Sequence, residues 1–257
     1  MTARIILIYS FGMLAALRAQ MPACQDADAQ KEVAAGEGFS RAAQYAKAAE
    51  HYEAALHIDP TCTNAMMNLA TAYMQQVVPG ADSPENLALA DRAREQFEKV
   101  LQQQPENENA MASVASLLFN QKKWDDAKVW YQKLTAINPQ NKEAYYTLGV
   151  IAWTVSYEPC QEARKKLGMK PEDPGPIKDT DVRKALRGQY LSAVEEGLDD
   201  LNKALAIDDA YDDAMDYMNQ LYRVRADLDD SPDDYKADIA AAEEWTRKAI
   251  EAKKRMR

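Results

Sequence analysis

Residues 131–139 read YQKLTAINP, and the same pattern returns as YEAALHIDP (52–60), FEKVLQQQP (97–105) and LNKALAIDD (201–209). Each copy places a large apolar residue first, a small or aliphatic one three later and a chain-breaker five further on. Pro105 and Pro139 stand 34 residues apart, and the stretch between them predicts two helices, Glu108 to Asn120 and Trp124 to Ile137. Met111, Val114, Ala115 and Leu118 share one face of the first, and Ala127, Tyr131 and Leu134 one face of the second, by their three-and-four spacing. Pro139 then stops the chain, because its ring clashes with the preceding turn and it has no N–H to donate. A helical hairpin of this size cannot bury its apolar face alone and must stack on copies of itself.

Composition agrees with an all-α chain. Of the 257 residues 47% are hydrophobic and 28% charged, enough apolar material for a core only if it alternates with charge along amphipathic helices. Glycine (9) and proline (11) leave few breaks between those helices. The formal net charge of -10 disfavours a grip on nucleic acid phosphates. The one basic cluster, RKAIEAKKRMR at 247–257, falls where a last helix should end, and cations there complement the negative end of the helix dipole.

With these residues in register, the chain resembles the tetratricopeptide repeat family. The resemblance implies a right-handed α-solenoid of about five helix-turn-helix repeats, at about 29–62, 63–107, 108–141, 142–211 and 212–253, within a superhelix over 29–257. The first repeat carries the motif at Gly36, Phe39, Ala48, Tyr52, Ala55 and Pro60, and the second at Met66, Leu69, Ala70, Tyr73, Ala93, Phe97, Val100 and Pro105. The fourth carries it at Tyr145, Leu148, Gly149 and Ala152, and again at Gly197, Leu201 and Ala204. The fifth shows Met215, Met218 and Tyr222, then Ala242, Thr246 and Ala249. The second repeat is 11 residues too long, near VVPGADSPEN, an excess expected in the turn between its helices. An insertion at about 154–189 interrupts the fourth. Within it EARKKL (162–167) predicts about two helical turns ended by Gly168, and KPEDPGPIKD a surface loop. Thr180 or Asp179 then caps a long helix to about Ile207.

The resemblance also implies a concave face lined by the first helix of each repeat. Its positions are Asn64, Met67, Thr71 and Met74, then Asn109, Ala112, Ser116 and Phe119, then Glu143, Tyr146, Val150 and Trp153. Family members that hold a peptide's terminal carboxylate do so with Lys and Arg; Val33, Asn68 and Ala112 stand nearby here, so that mode is not expected. Adaptable methionine and anchoring aromatics instead suggest a groove for an apolar or helical segment of a protein or peptide. The expected function is a non-catalytic interaction scaffold or adaptor. A self-associating homo-oligomer, and a metal or small-ligand binder using the acidic runs, are the alternatives.

Chemistry is sparse. His51 and His57 lie six apart on one predicted helix, about 600° of rotation, so they face different ways. No CxxC, glycine-rich phosphate loop or GxSxG elbow occurs. IDDAYDDAMD (207–216) and DLDDSPDD (227–234) are rich in Asp but lack EF-hand spacing, and both precede predicted helices, where acids complement the dipole. Neither a cofactor nor a metal is expected.

MTARIILIYSFGMLAALRAQ (1–20) has Arg4, an apolar run from Ile5 to Leu17 and the small Ala19, the layout of a cleaved export signal over 1–19, followed by a linker at 20–28. The apolar run is too short to span a bilayer, which needs about 20 residues, so no stable span is expected in the mature form. A bacterial protein of this kind would be periplasmic or secreted. Cys24, Cys62 and Cys160 number three, so at least one lacks an intramolecular partner; Cys24 is also weighed as a lipid acceptor, against the poor Met21-Pro22-Ala23 triplet before it.

Overall fold

The computed structural model describes residues 24–170 and 173–255. The expected signal at 1–19 and the first residues of the linker lie outside them.

Ten helices are described: α1 (Ala27–Arg41), α2 (Tyr45–Ile58), α3 (Thr63–Met74), α4 (Pro84–Gln103), α5 (Glu108–Asn120), α6 (Trp124–Ile137), α7 (Lys142–Lys166), α8 (Thr180–Ile207), α9 (Asp212–Asp227) and α10 (Pro232–Arg255). Neighbours in sequence pair as five antiparallel hairpins, each packed on the next, with α7 also touching α9 and α1 touching α3. The result is an all-α solenoid of helix-turn-helix repeats, as the repeat pattern requires. Among the described residues, no helix is long and apolar enough to cross a membrane.

The breaker works one residue earlier than proline itself. Asp59, Gln104 and Asn138 precede Pro60, Pro105 and Pro139, and each leaves the helical region, with φ near -120 to -135° and ψ near 80 to 90°. Asp208 does the same before Asp209, and its Oδ1 accepts from the Ala210 N–H at 3.1 Å, the side-chain turn that Asp59 and Asn138 also make, here without a proline. Two residues past the breaker the next helix is capped in the same way three times. Cys62 Sγ, Asn107 Oδ1 and Asn141 Oδ1 accept from the N–H groups of Ala65, Ala110 and Ala144.

Small residues set the helix spacing. A Cβ on Gly36 would meet the Tyr52 ring at 2.5 Å, and one on Gly149 would meet Leu201 at 2.4 Å. One on Gly197 would lie 2.4 Å from the Ala152 Cβ, so the α7–α8 crossing is closed from both sides by glycine. Gly197→Val is expected to lower stability by about 1–3 kcal/mol through overpacking. Gly188→Ala, on the same helix with open space around it, should instead be neutral or stabilising by about 0.5–1 kcal/mol. Thermal melts of the two variants check the register.

Three expectations need correction. First, α7 does not break before the insertion: it runs 25 residues through Pro159. Ser156, Cys160, Ala163 and Arg164 are buried beyond the normal repeat length, and this packing outweighs the backbone bond that Pro159 cannot make. EARKKL is therefore the end of a long helix, not an isolated pair of turns. Second, the extra residues of the second repeat are shared between the 75–83 turn and a lengthened α4, which Ser83 caps and Pro84 opens. The Asn86 side chain holds that turn through Val78 N–H, Val78 C=O and Ala81 C=O. Third, the fold starts within the expected linker. Cys24 is buried and disulfide-bonded to Cys62, and Asp26 caps α1. The bond occupies the sulfur weighed as a lipid acceptor and leaves Cys160 as the free, buried cysteine.

Candidate functional site

The first helices of repeats two to four enclose a groove of about 680 Å3. Met67, Thr71 and Met74 come from α3, Asn109, Ala112, Ser113 and Ser116 from α5, and Glu143 and Thr147 from α7. Phe97, Tyr131 and Leu134, from α4 and α6, reach it from behind. Its polar groups are amides and hydroxyls, and Glu143 is the single ionised side chain among its lining residues. The Thr71 and Thr147 hydroxyls are turned onto the carbonyls of Met67 and Glu143, at 2.8 Å each, which presents their methyl groups as part of the wall.

Of the twelve positions anticipated for a groove, Met67, Thr71, Met74, Asn109, Ala112, Ser116 and Glu143 line it together. The other five do not. Asn64 is half-buried at the start of α3, and Phe119 meets Trp124 edge-on at 4.9 Å at the far end of α5. Val150 is buried. Tyr146 and Trp153 turn toward the fifth repeat: Tyr146 lies 5.1 Å from Tyr211 and 5.6 Å from Tyr217, and Trp153 lies 5.5 Å from Tyr217 and stacks on Tyr157 at 4.8 Å. Ser113 and Thr147 went unanticipated. They fall one residue from the named Ala112 and Tyr146.

The insertion builds a second, wider depression of about 950 Å3, between the α5–α6 turn (Lys122, Lys123, Trp124) and the overhanging α7 and α8 (Val155, Glu158, Pro159, Tyr190). Its loop is organised around one buried side chain. Arg164 Nη1 donates to Asp227 Oδ1 at 2.5 Å and to the Gly175 carbonyl at 3.2 Å, and Nη2 donates to the carbonyls of Lys170 and Asp173 at 3.1 and 2.7 Å. Ile177, fully buried, gives its N–H to the Asp227 carbonyl. The loop is thus fastened to the fifth repeat. Burial raises the Asp227 carboxyl pKa, and the Arg164 guanidinium opposes that rise.

The acidic runs serve ion pairs between helices. Asp208 pairs with Lys142 at 2.5 Å, Asp216 with Lys253 at 2.7 Å and Asp230 with Arg187 at 3.4 Å, and beyond the runs Asp238 pairs with Arg225 at 2.6 Å. Among the described residues, no group of three or more His, Cys, Asp or Glu side chains is arranged to hold a metal. His51 contacts Glu32 at 2.7 Å and stacks on Phe39, while His57 is exposed.

Asp229 reaches Arg187 only at 3.8 Å. It is buried, its Oδ2 lacks a hydrogen-bond partner among the described residues, and its carboxyl is pushed up to about 7, first by burial and then by Asp238, with Arg225 and Arg187 in opposition. A carboxyl raised from 3.8 binds its proton more tightly folded than unfolded, so it withdraws stability as pH rises from about 4 to about 7. Asp229→Asn is expected to gain on the order of 1 kcal/mol at pH 8, a gain that shrinks as pH falls toward 4. Paired denaturant melts at the two pH values check the sign.

Comparison with known proteins agrees with this architecture. Residues 90–149 match the tetratricopeptide repeat family model, from within α4 of repeat two to within α7 of repeat four. Three solved structures are similar in fold. MamA protein superposes at TM-score 0.60 with 15% identity, over 88% of this chain and 92% of that one. MamA 41-end from Desulfovibrio magneticus RS-1 gives 0.59 with 16% identity, over 89% and 97%. YrrB, described as a TPR protein with an unusual peptide-binding site, gives 0.55 with 15% identity, over 88% and 92%. No curated protein matches this chain.

Proposed function

We propose that this chain is a non-catalytic protein–protein interaction scaffold of the cell envelope that holds a segment of its partner in the concave groove. The groove itself carries this reading: about 680 Å3, open, walled by methionine, threonine methyls and aromatic rings, and fringed by the Asn109 amide and the Ser113 and Ser116 hydroxyls. Such a surface can bury apolar side chains of a segment and satisfy its backbone, and it offers no acid, base or nucleophile set for a reaction. The peptide-binding site named for YrrB, a structure of the same fold, supports the comparison.

Export is part of the proposal. The leader-like sequence at 1–19 supports it, as does the Cys24–Cys62 disulfide, since such bonds persist in oxidising compartments and are rare in the cytosol. In a bacterium this would be the periplasm or the exterior.

Affinity capture from the native envelope fraction tests the groove. Ser116→Arg places a long cation in the middle of it from a half-buried position. The variant should melt within a few degrees of the wild type and lose the captured partner. Capture of the same proteins by both would remove the groove from the account, and recovery of this chain alone would favour a self-associating structural protein.

A further inference from the structure

We propose that the α7–α9 part of the concave face receives a Lys- or Arg-bearing segment of another protein, seated on a surface of tyrosine and tryptophan rings edged by carboxylates. This rests on the reading of the concave face as the partner-binding side, and it supplies the chemistry of the partner.

The surface has two sources. Tyr146, Trp153 and Tyr157 recur at seven and four residues along α7 and so share a face, and Tyr217 from α9 and Tyr211 from the turn before it meet them. These rings are not sealed in a core: Tyr146, Trp153, Tyr211 and Tyr217 are half-buried and Tyr157 is exposed. The buried indole N–H of Trp153 has no acceptor among the described residues.

Tyr211 shows that this surface departs from the repeat's structural needs. It occupies the position at which Cys62, Asn107 and Asn141 cap the following helix, yet it makes no side-chain cap to α9. A cap there is worth about 1 kcal/mol. In its place the ring packs on Tyr146 and extends the aromatic surface to the rim.

Charge selects the occupant. Glu143, Asp208, Asp212, Asp213 and Asp216 lie around Tyr146 and Tyr211, with Lys142 and Lys253 paired among them, while Arg223, bonded to Asn219 and in no ion pair among the described residues, borders the Tyr157 end. Asp213 makes no ion pair among the described residues, and Glu143 reaches Lys142 only at 4.0 Å. The chain already displays the intended contact: the Lys142 ammonium lies 4.9 Å from the centre of the Tyr211 ring while paired to Asp208. A partner's Lys or Arg can make the same pair of contacts on Tyr146 or Tyr217 with Asp213 or Glu143 as counter-charge. An acidic or phosphorylated segment would meet repulsion here.

The test selects phage-displayed random peptides on the purified full chain and measures the winners as synthetic peptides. Two exposed positions of the patch are reversed in Glu143→Lys and Asp213→Lys, and Glu106→Lys, in the turn before α5, is the charge-matched control. The expected winners are rich in Lys or Arg. They should bind at least about tenfold more weakly to both patch variants and to the wild type at about 1 M salt, and normally to Glu106→Lys. Equal weakening by Glu106→Lys would reduce the effect to net charge and overturn the proposal. Neutral or acidic winners would overturn it as well; if Ser116→Arg abolishes their binding, the groove reading stands without it. Failure of any peptide to bind would sink both. Binding of a synthetic 247–257 peptide, with a chain mass that rises with concentration and reverts in Asp213→Lys, would make the occupant a second copy and overturn the choice of a foreign segment.

Discussion

Arg164→Ala should cost this chain about 3–5 kcal/mol, more than any other single truncation considered. The substitution removes the cation from a buried pair and leaves the Asp227 carboxylate unpaired, and it strips the carbonyls of Lys170, Asp173 and Gly175 of the donors that gather the loop. Loss of a partner at a buried charge is the costly case, because the remaining group keeps its desolvation penalty. In a chain of this length the melting temperature should drop by about 10 °C. Amide exchange and proteolysis should quicken first at 168–179. The pairing geometry also predicts partial rescue. Arg164→Met combined with Asp227→Leu should recover much of the loss in global stability, since two apolar side chains need no counter-charge. The loop should stay loose in that double variant, because its carbonyls still lack donors. Recovery of both would show that the carbonyl bonds are dispensable.

Reduction of the Cys24–Cys62 bond, or its removal in Cys24→Ser/Cys62→Ser, is expected to cost about 2–4 kcal/mol. The bond ties residues 38 apart and closes the first repeat onto the start of the second. A loop of that size carries close to 4 kcal/mol of closure entropy in the unfolded chain, before any native strain is counted. Cys62 also caps α3, so the double serine variant keeps a capping oxygen and isolates the cross-link itself. Melts with and without reductant should differ for the wild type and coincide for the variant. A wild-type melt indifferent to reductant would mean that the bond contributes little, and it would weaken the case for an oxidising compartment.

The regular part of the fold was legible because two prolines bracket it. Between Pro105 and Pro139 the periodicity alone predicts Glu108–Asn120 and Trp124–Ile137, the observed bounds of α5 and α6. The insertion was not legible. Pro159 reads as a breaker in one dimension, and only the burial of Cys160, Ala163 and Arg164 against the fifth repeat explains why the helix continues. Arg164 and Asp227 are 63 residues apart, and both look like ordinary surface charges in the sequence. The disulfide was hidden for the same reason: nothing short of the folded hairpin puts Cys24 and Cys62 within 4.5 Å at their Cα atoms.

The groove was legible by half. Helix register located Met67, Thr71, Met74, Asn109 and Ser116, because α3 and α5 have standard neighbours. Tyr146 and Trp153 obey the same register, but their neighbour α9 presents Tyr217, and the turn before it presents Tyr211, so they join an aromatic surface instead. Local spacing predicts which face a residue is on. What waits across from it depends on the length and content of the next repeat.

Hydrogen exchange of the chain alone and with its captured partner is the most direct test of the claim that partners sit on the concave face. The account predicts added protection along α3, α5, α7 and α9, with α4, α6 and α8 unchanged. Protection confined to α4, α6 and α8, or to the overhang of α7 and α8, would contradict it.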